Sequence, residues 1–281
     1  MIVNNITEIR TVLINLADEV EFADFETYVQ SAELWISKDV LGSTLYNKMD
    51  QSTIEDPILF RIVKNAIILK AYDLGIPFMD LVHTQNGFGV INEKSRAPAS
   101  KHRVDRLIQQ NKFRCDQETD WLIDYLEDTT ALHDDWKSSP AFSILSNCFI
   151  KTARQFKRLV NFEGQRNEFL FLQPTLISLT TTILEPNISK VYVAELLAKQ
   201  NNNTLTEYDE KIMPGIMQAL ANYAINNNFL ADRLINDVVV IMDKDLANYS
   251  TYSNSDEKAT KDDPGFVNEL SNSIFVSNGG L

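Results

Sequence analysis

Apolar residues recur at helical spacing along nearly the whole chain, and this periodicity limits the possible folds more than any other feature. Side chains that return every three or four residues bury one face of a helix, whereas a half-buried strand needs strict alternation. Residues 25–36 show the helical pattern, with Phe25, Tyr28, Val29, Ala32, Trp35 and Ile36. Residues 57–75 are apolar on nearly every side, as in a central helix. The sequence therefore predicts a mainly α protein.

The helical period is lost once, around residues 83–92, where Gly87, Phe88 and Gly89 run into Val90 and Ile91. A nucleotide-binding loop would need a third glycine and a preceding strand, and it would open a helix. Here the glycines precede the strand-like run, so the segment predicts a structural strand or hairpin.

The best domain boundary is the polar stretch EDTTALHDDWKSSP, residues 127–140. Two segments after it repeat earlier ones: MQALANYAINNN (217–228) resembles VKNAIILKAYDLG (63–75), and DVVVIMDKD (237–245) resembles GFGVINEK (87–94). We therefore expect two tandem helical-bundle units, residues 1–130 and 131–247, each with a short strand or hairpin insertion. Thr206 is predicted to be the N-cap of a helix in the second unit.

The C-terminal part of the chain predicts two further segments. Residues 248–263, NYSTYSNSDEKATKDD, offer little to bury and are predicted to be a flexible linker. Residues 264–281 regain apolar groups and are predicted to be an extended C-terminal interaction arm. Its candidate interface residues are Phe266, Leu270, Ile274, Phe275 and Val276.

Composition excludes several classes of protein. The net charge of -13, from 39 acidic and 26 basic side chains, argues against broad binding to a nucleic-acid backbone. Cys115 and Cys148 have neither disulfide-framework nor metal-site spacing, and we expect reduced thiols, the first exposed and the second in a core. The chain has no signal-peptide pattern and no apolar run of 18 residues, so we expect no membrane association and synthesis inside a cell.

No motif in the sequence predicts catalysis, and we expect neither an enzyme nor a cofactor. The densest acidic region, residues 116–135, places Asp120 and Asp124 on one helix face, where a divalent metal is geometrically possible. Calcium-loop and Glu-x-x-His patterns are absent, and a solvated acidic face is the preferred interpretation. A metal-dependent enzyme using these acids remains an alternative.

Basic residues form two local groups. The first follows the glycines, and the second, on one predicted helix, contains Lys151, Arg154, Lys157 and Arg158. Both could be solvated faces, partners of an acidic neighbouring subunit, or contacts to packaged DNA. The candidate interface residues of the first group and its strand are Gly87, Phe88, Gly89, Lys94, Arg96, Lys101 and Arg103.

Seven dispersed segments of the chain carry a family resemblance: AELWISKDVLGSTLY, GFGVI, APASKHRVDRLI, WLIDYLE, WKSSPAF, FIKTARQF and NEFLFLQPTL. With these segments, roughly residues 6–245 resemble an uncharacterised family of structural proteins from tailed phages and prophages of gut bacteria, including crAss-like phages. More broadly, the repeated helical unit is similar to head-to-tail connector proteins, the adaptors that form a ring beneath the portal.

The resemblance implies a virion neck protein made in the host bacterial cytoplasm. It implies a homo-oligomeric ring, usually of twelve copies, which contacts the portal and neighbouring tail proteins. It also implies a channel for DNA passage without sequence-specific binding. No catalytic residue of that family can be transferred to this chain. The alternative from another class is a helical binding module that assists phage assembly but stays outside the virion.

Overall fold

The computed structural model describes residues 1–14, 16–78, 81–84, 87–90, 100–129 and 132–262, and these residues are mainly helical. They form two compact units. Unit 1 contains the described residues up to 177 and residues 197–204, and unit 2 contains residues 178–196 and 205–262. The boundaries differ from the predicted one near residue 131, and the chain passes from one unit to the other three times.

The helices of unit 1 are α1 (Ile6–Val12), α2 (Glu26–Asp39), α3 (Ser43–Asp50), α4 (Pro57–Gly75), α5 (Lys101–Asp128), α6 (His133–Lys137), α7 (Pro140–Leu145), α8 (Ala153–Leu159) and most of α9 (Arg166–Leu179). Short 3₁₀ turns span Phe22–Asp24 and Ile76–Phe78. The last residues of α11 (Lys190–Asn201) also belong to this unit.

Helix α4 lies at the centre of unit 1. The Asp56 carboxylate accepts hydrogen bonds from the backbone N–H groups of Ile58 (3.1 Å) and Leu59 (3.0 Å), and Pro57 occupies the first helical position. The helix packs along both α2 and α5. Its buried residues cover most of its circumference: Leu59, Ile62, Val63, Ala66, Ile67, Ile68, Leu69 and Ala71. This arrangement explains why its sequence is apolar on nearly every side.

A two-stranded antiparallel hairpin interrupts the helices of unit 1. Strand β1 (Leu81–Thr84) pairs with β2 (Gly87–Val90), with Leu81 opposite Val90 and Thr84 opposite Gly87. The hairpin coincides with the loss of helical period in the sequence.

The segment predicted as a domain boundary is instead anchored in unit 1. Trp136 is fully buried, and its indole N–H donates to the Val40 carbonyl at 3.0 Å. Gly42 has a φ of 80°, and a Cβ at this position would lie 2.3 Å from Ser139 Cβ. The polar composition of residues 127–140 predicted a link, but the buried Leu132 and Trp136 fix the segment to the core.

Unit 2 contains a π-helical turn (Thr180–Leu184), α10 (Glu185–Asn187), the first residues of α11, α12 (Glu207–Ala224), α13 (Asn228–Asp243), α14 (Ser250–Ser253) and α15 (Asp256–Asp262). The Thr206 hydroxyl caps α12 by accepting the Asp209 N–H at 3.2 Å, which confirms the predicted N-cap. Helices α12 and α13 pack along each other, and Gly215 allows their close approach because a Cβ there would lie 2.7 Å from Val238 Cγ2.

The strand predicted for residues 237–245 is wrong, because residues 228–243 form helix α13. The β-branched run at 238–241 favours a strand locally. However, Ala231, Ile235, Val238 and Met242 recur at helical spacing and are buried. Packing of this face therefore outweighs the local β-propensity.

The flexible linker predicted for residues 248–263 is also wrong over its described part, which contains α14 and α15. Tyr249 and Tyr252 are buried, and their hydroxyls donate to the Tyr208 carbonyl (3.0 Å) and to an Asp243 carboxylate oxygen (2.9 Å). Low overall hydrophobicity concealed two large aromatic anchors. The predicted arm, residues 264–281, lies outside the described residues.

Candidate functional site

The acidic residues of α5 face a basic segment of the same unit. Asp116, Asp120 and Asp124 follow one another at intervals of four residues and so share one face of the helix. Opposite them lie the start of α8 and the start of α9, which carry Arg154 and Arg166. The predicted acidic cluster and the second predicted basic group therefore meet in one charged seam.

Ion pairs join the two sides of this seam. Arg166 Nη1 lies 2.7 Å from Asp120 Oδ1, and Arg154 Nη1 lies 3.1 Å from Asp124 Oδ2. The first pair is almost enclosed, with 11% and 6% of the two side chains exposed, whereas Arg154 is largely open to solvent. Breaking the enclosed pair should destabilise the fold more than breaking the exposed one, because exposed ion pairs contribute little to folding stability.

The carboxylates also hold the backbone of the basic segment. Asp120 Oδ2 accepts the Arg154 N–H at 2.9 Å, and Asp116 Oδ2 accepts the Arg166 N–H at 3.1 Å. Both amides lie in the first turn of a helix, where N–H groups have no partner within the helix. The acids of α5 thus orient α8 and α9.

Lys151 is a buried member of the same seam, with 0% exposure. Its ammonium group binds the Glu127 carboxylate and lies 2.7 Å from Asn201 Oδ1. It also lies 5.7 Å from the centre of the Phe142 ring. A buried ammonium needs such partners, because its desolvation is otherwise costly.

Burial changes the protonation of two acids in the seam. It raises the pKa of Asp116 from 3.8 to about 6, against the opposing effect of the Arg166 N–H and guanidinium. It also raises the pKa of Asp124, with the Arg154 charge acting in the opposite direction. The pKa of Asp116 therefore lies closer to neutral pH than that of an ordinary aspartate.

A cleft of about 480 Å³ opens beside the seam. Its walls carry Arg154, Lys157, Arg158 and Arg166 against Asp116 and Asp120, and Phe113 and Trp121 on α5 are both exposed. Lys157 and Arg158 form no ion pair with another described residue. The cleft thus combines two exposed aromatic rings with Lys157 and Arg158, and of these residue types the aromatic residues and arginine are enriched in protein interfaces.

The arrangement gives little support to metal chemistry. Among the described residues, no group of three or more His, Cys, Asp or Glu side chains is placed to hold a metal ion. Asp120 and Asp124, the pair considered for a divalent ion, are each bound by an arginine. Asp134 and Asp135 lie on α6, where Asp135 pairs with Lys48 at 2.7 Å.

Both cysteines are buried and neither forms a disulfide. The expected exposure of Cys115 is therefore wrong, because this residue faces α4 and its Sγ lies 4.0 Å from the Ala66 carbonyl. Burial raises the pKa of Cys115 to about 12 and that of Cys148 to about 11. Neither thiol has the properties of a nucleophile.

The predicted interface residues are only partly covered by the described chain. Gly87, Phe88 and Gly89 lie in β2, and Lys101 and Arg103 lie exposed in the first turn of α5. Lys94, Arg96 and the five apolar residues of the predicted C-terminal arm lie outside the described residues. The structure therefore does not bring these two predicted groups together in a described site.

Sequence reasoning missed the charged seam and its cleft. The acidic and basic groups lie far apart in the sequence, and Arg166 stands 46 residues from Asp120. A regular series of acids on one helix and a basic cluster on a later helix gave the available signal. The pairing itself depends on tertiary packing.

Comparison with known proteins gives one family match. Residues 20–144 match the model of a family of unknown function, DUF6712. No curated protein and no solved structure matches the chain. The matched range lies within unit 1 and includes α2 to α6 and part of α7. Separately, no helix in the described part of the chain is long and apolar enough to cross a membrane.

Proposed function

We propose that this chain is a structural subunit of a phage virion, a head-to-tail connector that forms a ring between the portal and the tail. In this proposal the subunits pack side by side, in twelve copies that match the portal. DNA passes through the ring without sequence-specific contact. The resemblance described under Sequence analysis motivates the assignment to the neck.

The observation that carries the proposal is the exposure of large apolar side chains on helices of both units. Phe171 on α9 is 83% exposed and Phe229 on α13 is 85% exposed. Covering one such ring yields about 2 kcal/mol, and aromatic side chains are enriched in protein interfaces. Val191, Leu34 and Ile144 are also more than half exposed. These side chains are suited to contact with other subunits.

The charged seam supports a structural role over a catalytic one. Its acids are engaged in ion pairs and in capping the first turns of α8 and α9. The net charge of -13 per copy suits a channel wall that does not retain DNA. We therefore infer that the activity of the protein is assembly.

The decisive experiment is to purify particles of the encoding phage and to identify their proteins by mass spectrometry and their neck by electron microscopy. We expect the chain in the particles, as a ring adjoining the portal. Its absence from particles would instead favour a helical module that assists assembly from outside the virion. Its presence at another position would overturn the connector assignment.

A second experiment uses portal protein co-expressed with this chain. Phe171→Ser and Phe229→Ser should reduce recovery of the chain with portal rings, because they remove the exposed apolar rings. Asn236→Ser, at an exposed position on α13, is the matched control. Equal recovery of all variants would show that these rings do not contribute to assembly.

A calorimetric titration with Mg²⁺ or Mn²⁺ addresses the enzyme alternative. We expect no binding heat from the parent chain. Binding that disappears in Asp120→Ala and Asp124→Ala would support a metal-dependent activity.

A further inference from the structure

The first part of α5 is a helix with almost no core of its own. We call residues 101–110 the basic segment. All buried residues of α5 lie from Asn111 onward, and Leu107 is 44% exposed. These ten residues extend about 15 Å along α5, and helices in proteins owe most of their stability to the packing of one apolar face. The segment is therefore well placed to gain stability from a partner.

The charges of the basic segment oppose its helix dipole. Lys101 and Arg103 lie in the first turn of the helix, where the dipole favours negative charge, and Arg106 lies in the second turn beside the one acid of the segment, Asp105. The first turn holds no acid, and the Ser100 side chain forms no capping hydrogen bond. None of the three cations is ion-paired with another described residue. An anionic surface would relieve this unfavourable arrangement.

The segment also carries an apolar stripe. Val104 and Ile108 are half-buried, and Leu107 lies beside them at helical spacing. A nucleic-acid backbone would satisfy the cations but would leave this stripe uncovered. A protein surface with acidic and apolar groups matches both features.

Such a surface exists on the same unit. We call residues 18–26 the acidic segment, with the acids Asp18, Glu19, Glu21, Asp24 and Glu26. One cation lies against this segment, because the Arg10 guanidinium donates to the backbone carbonyls of Asp18 (2.9 Å) and Val20 (3.2 Å). No Lys or Arg occurs between residues 11 and 37, and Val20 and Phe22 are partly buried among the acids. Asp18, Glu21, Asp24 and Glu26 are exposed. Within the described chain, no ion pair joins this segment to the basic segment.

We propose that the basic segment of one copy docks on the acidic segment of a second copy. Each copy carries both surfaces, so this contact joins identical subunits. The proposal rests on the proposed function, because it names a contact between subunits of the ring. It also explains how a chain of net charge -13 associates with itself, since the charge is unevenly distributed.

The test is a charge exchange between two variants of the full chain. Arg103→Glu with Arg106→Glu should weaken self-association at least about tenfold, as measured by analytical ultracentrifugation at low salt. Asp18→Lys with Glu26→Lys should weaken it similarly. An equimolar mixture of the two variants should associate again, because each reversed surface then meets a complementary one.

Controls separate loss of docking from loss of folding or from a change in net charge. Arg233→Glu with Lys244→Glu changes the net charge as much as the basic-segment variant, at an exposed position on α13 and at its exposed C-cap, and should associate like the parent. Each variant should retain the circular dichroism spectrum of the parent. If Arg103→Glu with Arg106→Glu does not retain this spectrum, it is replaced by Arg103→Gln with Arg106→Gln, for which weaker association is still expected.

The outcomes distinguish this proposal from the proposed function. A parent chain that is monomeric at every concentration overturns the docking proposal, while recovery with portal still tests the connector role. Association that survives both reversals, or a mixture that fails to restore it, also overturns docking. Binding to duplex DNA that requires Arg103 and Arg106, with self-association unchanged, would assign the basic segment to nucleic acid instead.

Discussion

The Arg166 guanidinium lies 2.7 Å from the Asp120 carboxylate, and the same carboxylate accepts the backbone N–H of Arg154 at 2.9 Å. One acid of α5 thus fixes the beginning of two later helices. Because only 11% of the Arg166 side chain is exposed, removal of Asp120 would leave its guanidinium poorly hydrated and without its ion-pair partner.

Replacement of Asp120 by alanine should therefore destabilise unit 1 by about 3 kcal/mol, the cost typical of breaking a buried ion pair. Asp120→Asn should cost less, because the amide oxygen can still accept the Arg154 N–H. Urea denaturation measures both changes. Asp128→Ala, at an exposed position of the same helix, is the control and should stay within about 0.5 kcal/mol of the parent. Equal effects at the two positions would contradict a role for the enclosed pair.

Asp116 should make stability depend on pH. Its pKa is raised by burial from 3.8 to about 6, so between these values the native state holds a proton that the unfolded state has lost. Its contribution therefore makes stability fall as pH rises from about 4 to 6. The stability of Asp116→Asn relative to the parent should increase over this range, by less than about 2 kcal/mol because solvent screens the group.

Thermal melts at closely spaced pH values test this prediction. The asparagine retains an acceptor for the Arg166 N–H, so the comparison isolates the charge. A difference between the two proteins that is constant from pH 4 to 7 would show that Asp116 is not perturbed.

The two thiols should be inert in the folded protein. Cys115 and Cys148 are buried, and burial raises their pKa to about 12 and about 11. A thiol reagent at pH 8 should therefore react slowly with the native chain and rapidly with both cysteines in denaturant. Rapid labelling of Cys115 in the native chain would mean that the contact between α4 and α5 opens readily.

The C-terminal helices should belong to the stable fold of unit 2. Tyr252 is fully buried, and its hydroxyl donates to Asp243 at 2.9 Å. Tyr252→Ala should lower the free energy of unfolding by about 3–5 kcal/mol, as for other large buried side chains.

Removal of residues 264–281 should leave the melting temperature unchanged but weaken assembly. A large fall in melting temperature after this deletion would contradict the prediction that these residues form an interaction arm.

Local patterns in the sequence identified elements whose packing agrees with local preference. The apolar circumference of α4 predicted a central helix, and Thr206 predicted the start of α12. The start of α2 is harder to locate from sequence, because the Asp24 carboxylate accepts the Glu21 N–H in a 3₁₀ turn whereas α2 begins at Glu26. Capping residues indicate the region of a helix start better than its first residue.

Features that depend on distant contacts could not be predicted. Val238 lies in a β-branched run, yet it belongs to helix α13. It packs so closely against Gly215 of α12 that a Cβ on the glycine would lie 2.7 Å from Val238 Cγ2. Trp136 made a polar segment part of the core. The pairing of Arg166 with Asp120 spans 46 residues and leaves no mark in either local sequence.

The three passages of the chain between its two units also constrain how its gene can change. Residues 197–204 return to unit 1 after residues 178–196 have entered unit 2. A single crossover divides a gene at one point, so that everything before this point comes from one parent and everything after it from the other. Any exchange at residue 177 or at residue 204 would leave one unit with a piece of the other parent, so neither unit can be replaced whole by one crossover.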